Sequence, residues 1–438
     1  MAETTNIKKI TGEVEINKET AEEIKKEVKS IADFNKKISA NLKEITSKLA
    51  EVILSGAFFL EASDIHIEPE KDKAKLRIRV DGVLQDVLDF DLKIYKVLVS
   101  RIKLLSELKL NITNRPQDGR FSIFIDQSSV EIRTSSIPAE YGESIVLRVL
   151  NPKSLVSMED LGLRKDLLKL FKKEIKKPNG MIICTGPTGS GKTTTLYAFL
   201  KEITDPEIKI ITIEDPIEYH LAGISQTQID KDKGYDFANG LRAIVRQDPD
   251  VILVGEIRDL ETAQIALQAA LTGHLVLSTV HTNDAAGTIA RLQALGENSA
   301  NISPALNMAI AQRLARKVCK ECSKMKTANS EEIAKIKKAL SGLPKTINHP
   351  EIKTGIKIPE AKACKKCDSI GYKGRIGIFE AFLIDDEMEK FILKSPSTVE
   401  LRDMAIKKGM VSMRQDGFIK VLEGITTIEE IEKVAGEE

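Results

Sequence analysis

Residues 181–193 read Met181-Ile182-Ile183-Cys184-Thr185-Gly186-Pro187-Thr188-Gly189-Ser190-Gly191-Lys192-Thr193, an apolar run followed by a glycine-rich turn. The turn matches the pattern G-x-x-x-x-G-K-[ST] in full, and a helical segment, residues 194–202, follows it. Glycines let backbone N–H groups turn toward phosphate oxygens, and a helix N-terminus adds a favourable dipole. The residues predicted to bind a nucleotide are Gly186, Pro187, Thr188, Gly189, Ser190, Gly191, Lys192, Thr193 and Thr194. In such a loop the lysine reaches the β- and γ-phosphates, and the hydroxyl of Thr193 binds Mg²⁺.

Short apolar runs alternate with helical segments on both sides of this loop. The runs are residues 181–185, 208–213, 251–254 and 275–279, and each is bounded by polar or glycine-containing turns. Strands that are apolar on both faces are typical of a parallel sheet covered by helices. The pattern predicts an α/β domain from about residue 163 onward.

Acidic residues and histidines follow the strands of this predicted sheet. Glu256 comes after the apolar run 251–254, where it can hold Mg²⁺ through water or orient an attacking water. Glu214 and Glu218 follow the run 208–213, at the sheet edge where ligands collect. His274 and His281 flank the run 275–279. They are either structural hydrogen-bonding residues or sensors of the γ-phosphate.

Texture changes along the chain predict its domain organisation. Residues 1–45 are rich in Lys and Glu and predict a helical or flexible N-terminal arm, either solvated or a docking helix. Residues 46–150 mix strand and helix patterns, with a turn at Asp81-Gly82 and a polar hairpin loop over 126–129, and predict an α+β domain. Residues 151–162 predict a linker. The remainder, 163–438, is one α/β domain that ends in small helices over 385–438.

Composition limits the function classes. The 438 residues carry 66 Lys and Arg against 65 Asp and Glu, so the formal net charge is +1. This near-neutral balance, with 6 Tyr, 13 Phe and no Trp, makes nucleic acid an unexpected partner. No apolar run approaches the roughly 20 residues of a spanning helix, and the start of the chain does not resemble a signal peptide. We therefore expect a cytoplasmic location.

Four of the five cysteines form two C-x-x-C pairs. The pairs are Cys319 with Cys322 and Cys364 with Cys367, and residues 323–363 lie between them. Two such pairs can close a tetrahedral thiolate site around Zn²⁺, with the intervening residues forming a lobe. The alternative is two reduced or redox-active pairs. Cys184, inside an apolar run, is expected to be a buried thiol.

Several longer motifs resemble the secretion ATPases of bacterial type II secretion and type IV pilus assembly. The matching stretches are residues 62–69, 115–121, 213–218, 241–250, 255–259, 271–274 and 364–375, which include Arg-Pro-Gln-Asp-Gly-Arg-Phe at 115–121 and Gly-Glu-Ile-Arg-Asp at 255–259. They extend from about residue 60 to the C-terminus. The resemblance implies a RecA-like P-loop ATPase domain preceded by a smaller α+β domain, with a zinc-binding insertion (319–367) and a helical C-terminal tail.

The resemblance also assigns roles to residues. It identifies 214–218 as the family's aspartate box, 250–256 as an atypical Walker B segment and 274–281 as a histidine box. Arg133 and Arg148 occupy positions of family arginines that act on the phosphates. Arg242, Arg246 and Arg258 fall in further family arginine positions. The implied cofactors are ATP, Mg²⁺ and Zn²⁺.

A mechanical function follows from the resemblance: a hexamer that hydrolyses ATP to power pilus assembly or protein secretion through an inner-membrane platform protein. It implies a cytoplasmic protein held at the inner face of the plasma membrane by partners. The four cysteines favour assembly or secretion over pilus retraction, because retraction ATPases resemble the same core without them. The alternatives are a retraction ATPase, a nucleic-acid translocase on the same core, and a nucleotide-gated scaffold without turnover. Lys192, Thr193 and Glu256 argue against the scaffold.

Overall fold

The computed structural model describes residues 12–125, 128–151 and 155–436. Two compact units are present, one containing the described residues up to 151 together with residues 362–371, and one containing residues 155–361 and 372–436. Each unit is described by itself below.

The first unit is built on a seven-stranded sheet in the order β1-β5-β6-β7-β2-β3-β4. Its strands are β1 (Glu13–Glu15), β2 (Asp64–Pro69), β3 (Ala74–Val80), β4 (Val83–Phe90), β5 (Gln117–Ile125), β6 (Ser128–Ala139) and β7 (Gly142–Leu150). β1 runs parallel to β5, and the other neighbours are antiparallel. Buried and partly exposed residues alternate along β3 and β6, as expected for an antiparallel sheet with one face on the core. The predicted turn at Asp81-Gly82 is confirmed, because both residues have positive φ and join β3 to β4.

In the described part of this unit, four helices supply the other side of the core. They are α1 (Lys18–Glu27), α2 (Ile31–Asn41), α3 (Thr46–Phe59) and α4 (Leu92–Leu105). In residues 12–45 the structure describes the helical alternative of the predicted arm, and these helices pack on the core. Ile24 and Phe34 are buried in the same cluster as the sheet, and the Phe34 ring lies against Gly56, where a Cβ would be 2.1 Å away. Such burial is favourable by about 2–3 kcal/mol per large side chain, which is why a charged segment still folds here.

The second unit contains a seven-stranded sheet in the order β10-β9-β11-β12-β8-β13-β16. Its strands are β8 (Gly180–Thr185), β9 (Ile210–Glu214), β10 (Ser225–Gln228), β11 (Val251–Val254), β12 (Leu275–Val280), β13 (Leu306–Val318) and β16 (Tyr372–Leu383). All neighbours are parallel except β13 and β16, which pair antiparallel. Every residue of β8 and β12 is buried, which confirms the interpretation of the apolar runs as strands covered on both faces.

Helices lie between and beyond these strands. They are α5 (Lys165–Glu174), α6 (Lys192–Ile203), α7 (Phe237–Val245), α8 (Leu260–Leu271), α9 (Gly287–Ala294), α10 (Ser299–Ala305), α11 (Ser330–Ala339), α12 (Asp386–Ile392), α13 (Thr398–Lys407), α14 (Met413–Leu422) and α15 (Ile428–Ala435). A short two-stranded sheet of β14 (Lys324–Thr327) and β15 (Lys357–Glu360) accompanies α11 between the two cysteine pairs. The α/β class, the smaller preceding α+β unit and the helical C-terminal tail are as predicted.

The stretch predicted as a linker is partly packed. Met158, which precedes a short 3₁₀ turn, and Leu161, the last residue of that turn, are buried in a core cluster of the second unit. Residues 152–154 lie outside the described residues, as do 126 and 127 of the predicted hairpin loop and residues 1–11 of the predicted arm. Within the described ranges, no helix combines the length and apolar character needed to cross a bilayer.

Candidate functional site

The glycine-rich loop connects the last residue of β8 to the first residue of α6. Gly186, Gly189 and Gly191 all have positive φ, which lets the backbone turn in a way that other residues rarely adopt. A Cβ on Gly186 would lie 2.5 Å from the Gln312 carbonyl oxygen, so the loop also depends on a close backbone approach. The helix begins at Lys192, two residues before the predicted segment, so its N-terminal N–H groups face the loop.

Lys192 is held inside the loop. Its Nζ donates to the carbonyl oxygens of Gly186 (2.9 Å) and Pro187 (3.2 Å), and the side chain is buried. Burial lowers the pKa of Lys192, while the carboxylates of Glu256 and Glu218 act in the opposite direction. A partly desolvated ammonium close to two carboxylates is a strong point charge for a phosphate.

Gln312 on β13 bonds to the strand and the helix on either side of the loop, and it was not among the residues predicted from the sequence. Its Oε1 accepts from Thr195 Oγ1 (2.7 Å) in the first turn of α6 and from Cys184 Sγ (3.5 Å) on β8. Its Nε2 lies 2.7 Å from the place where a Cβ of Gly191 would be. Cys184 is the buried thiol expected from the sequence, and burial raises its pKa to about 12. The only sequence signal for Gln312 is an amide inside an otherwise apolar stretch.

Glu256 and His281 lie together beside the loop. His281 Nε2 is 3.6 Å from a carboxylate oxygen of Glu256, which also pairs with Arg258. Burial lowers the pKa of His281, the charge of Lys192 lowers it further, and Glu256 opposes both effects. Thr279 Oγ1 donates to the Gly255 carbonyl (2.8 Å) and so fixes the end of β12 against the turn that carries Glu256. The predicted residues Lys192, Glu256, His281 and Arg258 therefore form one charged cluster.

Glu214 occupies a different environment from Glu256. It is buried at the end of β9 and accepts from Thr212 Oγ1 (2.6 Å), Gln226 Nε2 (3.3 Å) and the Tyr197 hydroxyl. Burial raises the pKa of Tyr197, and the Glu214 charge raises it further. A carboxylate with this many donors serves to hold neighbouring elements in place. Glu218 is half-buried, and its charge acts on Lys192.

His274 lies away from this cluster, and a role in sensing a γ-phosphate stays a prediction. It precedes the first residue of β12, whereas His281 follows the last. Seven residues of extended chain span about 23 Å, so the two histidines lie at opposite edges of the sheet. There the His274 ring contacts the Ala269 carbonyl (Nδ1 to O, 3.0 Å), and its own carbonyl accepts from Gly180 N–H.

The remaining predicted arginines of the second unit are on α7. Arg242 is exposed and pairs with Glu261 on α8, and Arg246 caps the C-terminal end of α7. Arg242, Arg246 and Arg258 are the three arginines that the resemblance suggests in this unit. Among the described contacts, it is Arg258 that pairs with the site residue Glu256.

Arg133 and Arg148 are neighbours in the first unit. They are paired across β6 and β7, and Arg148 is in turn paired with Asp64 on β2. Directly paired residues project from the same face of a sheet, so the two guanidinium groups share one face. Arg148 Nε is 3.2 Å from Asp64 Oδ1, and Arg133 Nε is 3.3 Å from Glu131 Oε1. This face is opposite to the one that Ile65 and Leu147 bury.

The four cysteines of the two C-x-x-C pairs come together. The sulfur atoms of Cys319, Cys322, Cys364 and Cys367 all lie within 4.8 Å of one another. Zn–S bonds of about 2.3 Å in a tetrahedron place sulfur atoms about 3.8 Å apart, and the Cys364 and Cys367 sulfurs are 3.6 Å apart. The Gly371 N–H donates to Cys367 Sγ (3.3 Å), an interaction that favours a thiolate. The donor set and its spacing therefore fit zinc.

Comparison with known proteins agrees with this geometry. The profile of the Type II/IV secretion system protein family matches residues 39–433. Type II secretion system protein E of Pseudomonas aeruginosa is 44% identical over 396 residues, covering 89% of this chain and 76% of that protein. Type IV pilus assembly ATPase PilB of Thermus thermophilus is 41% identical over 385 residues, covering 88% of this chain and 42% of that protein. The chain thus spans less than half of the Thermus relative.

A solved structure supports the fold over nearly the same range. The crystal structure of the pilus retraction motor PilT with bound ADP matches with a TM-score of 0.59 and 27% identity, covering 88% of this chain and 96% of that chain. The resemblance expected from the motifs is confirmed. The chain belongs to the Type II/IV secretion system protein family and is a P-loop ATPase of the type II secretion and type IV pilus assembly kind.

Proposed function

We propose that this chain is the hexameric motor of a type IV pilus assembly or type II secretion machine, and that it acts through an inner-membrane platform protein. The observation that carries the proposal is the cluster of Lys192, Glu256 and His281 beside the glycine-rich loop. The names of the relatives suggest which machine the motor drives, type IV pilus assembly or type II secretion. PilT, a retraction motor, shares the fold at 27% identity, whereas the assembly and secretion relatives are 41–44% identical.

In this proposal the chain's own residues divide the chemistry of ATP hydrolysis. The backbone N–H groups of the loop and Lys192 hold the phosphates. The hydroxyl of Thr193 would hold Mg²⁺, and the Glu256 carboxylate would reach it through water. Bound Mg²⁺ supplies neutralising charge to the phosphate oxygens. Glu256 orients the attacking water, and His281, neutral at pH 7, bonds to Glu256 or to the γ-phosphate. Glu214 holds the strand ends, and Glu218 adds negative charge near Lys192.

Arg133 and Arg148 complete the proposed phosphate chemistry. The two guanidinium groups lie on one sheet face, each beside a carboxylate, and a guanidinium binds phosphate through the same fork of N–H donors. An arginine supplied to a γ-phosphate is worth about 10³–10⁵ in rate. Replacing either by Ala is expected to abolish turnover and leave the thermal unfolding temperature of the protein unchanged. Near-normal turnover in both variants would remove them from the mechanism.

The test of turnover compares two lysines of the same helix. Purified wild-type protein is expected to release phosphate from MgATP, and Lys192→Met is expected to reduce that release below detection. Lys201→Met changes an exposed lysine in the last turn of α6 and is expected to keep wild-type turnover. Wild-type protein that neither binds nor hydrolyses ATP would refute the motor function.

The partner and the ring need their own experiment. Light scattering of the purified protein with MgATP is expected to give six copies of the chain. The cytoplasmic part of a platform protein encoded in the same genome is expected to bind the motor and raise its turnover. Because this partner lies in the inner membrane, we place the motor at the inner face of that membrane. Stimulation by polynucleotide, and none by the platform protein, would instead favour a nucleic-acid translocase.

Zinc is proposed as the structural metal of the four cysteines. Metal analysis of protein purified without added zinc is expected to give one zinc per chain. Cys364→Ser is expected to lose the metal and the order of the 319–367 region, because structural zinc contributes about 10–16 kcal/mol to folding of small sites. Cys184→Ala is the matched control and is expected to retain the zinc. Well under one zinc per wild-type chain would favour two reduced thiol pairs instead.

A further inference from the structure

The loop that follows β12 carries His281 and is tied to the C-terminal helices. It runs from His281 to the start of α9 at Gly287. On the side of the nucleotide site, Thr282 N–H donates to Thr185 Oγ1 (2.8 Å), and the two threonine hydroxyls are 2.7 Å apart. Because Thr185 is the last residue before the glycine-rich loop, the His281 loop and the phosphate loop are anchored to each other.

Glu380 on β16 bonds to the other end of this loop. One carboxylate oxygen accepts from the Ala285 N–H (2.8 Å), and the other accepts from the Met413 N–H (3.1 Å), the first residue of α14. The side chain is only 6% exposed. Each oxygen of one buried carboxylate therefore serves a different element, and the two bonds join the loop to a helix N-terminus.

Arg402 on α13 makes a second tie. It pairs with Asp284, whose other oxygen accepts from the Gly287 N–H (2.7 Å) at the start of α9. Thr282 Oγ1 also donates to the Asp284 carbonyl (2.8 Å), so the loop is closed on itself between its two anchors. A displacement of α13 or α14 is transmitted through Arg402 and Glu380 to a segment that has little freedom to absorb it.

Strand register explains why Glu380 reaches this place. Val280, Thr185, Ala311 and Glu380 are directly paired in sequence across β12, β8, β13 and β16. Paired residues share a face, so the Glu380 carboxylate lies on the face where Thr185 bonds to Thr282. Ala311 between them has the smallest apolar side chain and leaves room for the loop to cross.

We propose that Glu380 and Arg402 are positioning residues that couple the nucleotide site to α13 and α14. Through them, the bound nucleotide changes the N-terminus of α14, and α14 in turn sets the rate at which the His281 and Glu256 cluster hydrolyses ATP. This inference rests on the proposed ATP hydrolysis for its kinetic part alone. The structural part requires nucleotide binding only.

The structural part is tested by hydrogen–deuterium exchange on the full chain. Addition of MgADP, or of a non-hydrolysable ATP analogue, is expected to change amide protection at 281–287 and at the start of α14 in the wild type. In Glu380→Gln, which places an amide NH₂ against one of the two N–H donors, the change at α14 is expected to disappear although nucleotide still binds. If nucleotide does not alter exchange at α14 in the wild type, or alters it equally in the wild type and in Glu380→Gln, the coupling is overturned, whether or not the protein hydrolyses ATP.

The kinetic part compares Glu380→Gln with a matched buried carboxylate. Glu380→Gln is expected to lower kcat by about tenfold, the effect of one lost positioning hydrogen bond, and to leave KM within about twofold. Glu430→Gln on α15 removes a similarly buried carboxylate that binds Arg316, and it is expected to lower stability while keeping kcat. Equal loss of kcat in both variants, or wild-type kcat in Glu380→Gln, overturns the proposal.

Arg402 provides the second variant if Glu380→Gln does not fold. Its side chain is 44% exposed, so Arg402→Met is expected to fold. It is expected to lower kcat in the same direction, with KM unchanged. Wild-type turnover and wild-type exchange at α14 in Arg402→Met would also contradict the coupling. Absence of turnover in the wild type itself refutes the proposed function and leaves the exchange result to decide the coupling.

Discussion

Replacement of Glu256 and Glu214 by glutamine should separate two carboxylates that the sequence does not distinguish. Both follow strands of the same sheet, yet their surroundings differ. Glu256 faces His281 and acts on Lys192, whereas Glu214 is enclosed by three donors. We expect Glu256→Gln to affect chemistry and Glu214→Gln to affect folding.

The two magnitudes follow from the contacts. Loss of the water-orienting carboxylate in Glu256→Gln is expected to lower kcat by about 10²–10⁴, with nucleotide affinity nearly unchanged. In Glu214→Gln the amide keeps one acceptor oxygen, but its NH₂ replaces the other and leaves a buried donor without an acceptor. That costs about 1–3 kcal/mol. For a unit of this size we therefore expect the unfolding temperature to fall by about 2–12 °C.

Three measurements on each variant decide the matter. They are phosphate release at saturating MgATP, affinity for a fluorescent nucleotide, and thermal unfolding without nucleotide. Tyr197→Phe is the matched control, because it removes a donor to Glu214 and leaves Glu256 untouched. The reasoning is refuted if Glu214→Gln abolishes turnover at the wild-type unfolding temperature while Glu256→Gln retains most of its turnover.

Further predictions concern pH, a buried ion cluster and the loop glycine. Burial and the charge of Lys192 lower the pKa of His281 in the folded state. As pH falls below about 6.5, His281 is therefore protonated in the unfolded state before it is protonated in the folded state, and the free energy of unfolding decreases. The unfolding temperature should therefore fall more between pH 7 and pH 5 in the wild type than in His281→Gln; equal profiles would contradict this. Asp416→Asn removes the carboxylate that the buried cations Arg164 and Lys420 share, and it should lower the free energy of unfolding by about 3–5 kcal/mol in a urea titration. Gly186→Ala, with φ +147 and a Cβ 2.5 Å from the Gln312 carbonyl, should lose nucleotide binding in a fluorescence titration, and wild-type affinity would show that the loop tolerates the shift.

Much of the second unit could be predicted from sequence because its central strands are buried on both faces. In the sequence, such strands have the pattern of continuous apolar runs. The observed bounds of β11 and β12 differ from the predicted ones by at most one residue. The glycine-rich loop was predicted for a similar reason, since its backbone geometry restricts which residues can occupy it. Both are local constraints.

The features that sequence analysis missed depend on distant contacts. β13 and β16 form a long antiparallel pair at the edge of the sheet, and their polar residues, such as Gln312 and Glu380, broke the apolar pattern. Gln312 accepts from Thr195 in the first turn of α6, next to the phosphate loop, and Glu380 accepts from Ala285 in the His281 loop. In the first unit, the charged sequence left open whether the predicted N-terminal helix is solvated or docked, and only the structure shows that Ile24 and Phe34 are buried. Burial of one face is not visible in composition.

The position of His274 shows what a motif cannot supply. A histidine at each end of one strand suggests a pair, but a strand separates its ends by its own length. Only the histidine at the carboxyl end of β12 reaches the edge where the phosphate loop lies. Strand direction, which follows once β8 is fixed by the loop, already places His274 at the opposite end of β12 from the loop of the same chain.

The antiparallel pair β13 and β16 gives the sheet a second role besides holding the phosphate loop. If the sheet ended at β8, the loop after β12 would keep its bond to Thr185 on β8 but would lose its bond to Glu380 on β16. By extending two strands beyond β8, the chain brings Glu380 into the row that contains Thr185, and β16 then leads directly into α12, α13 and α14. Asp416 on α14 accepts from the Phe379 N–H (2.9 Å), next to Glu380, so this helix is fixed to the strand at two adjacent residues. A rigid connection of this kind transmits small displacements because packed, hydrogen-bonded elements shift as units. The C-terminal helices are therefore placed to convert a change at the phosphate into movement, and the exchange response of α14 measures whether they do.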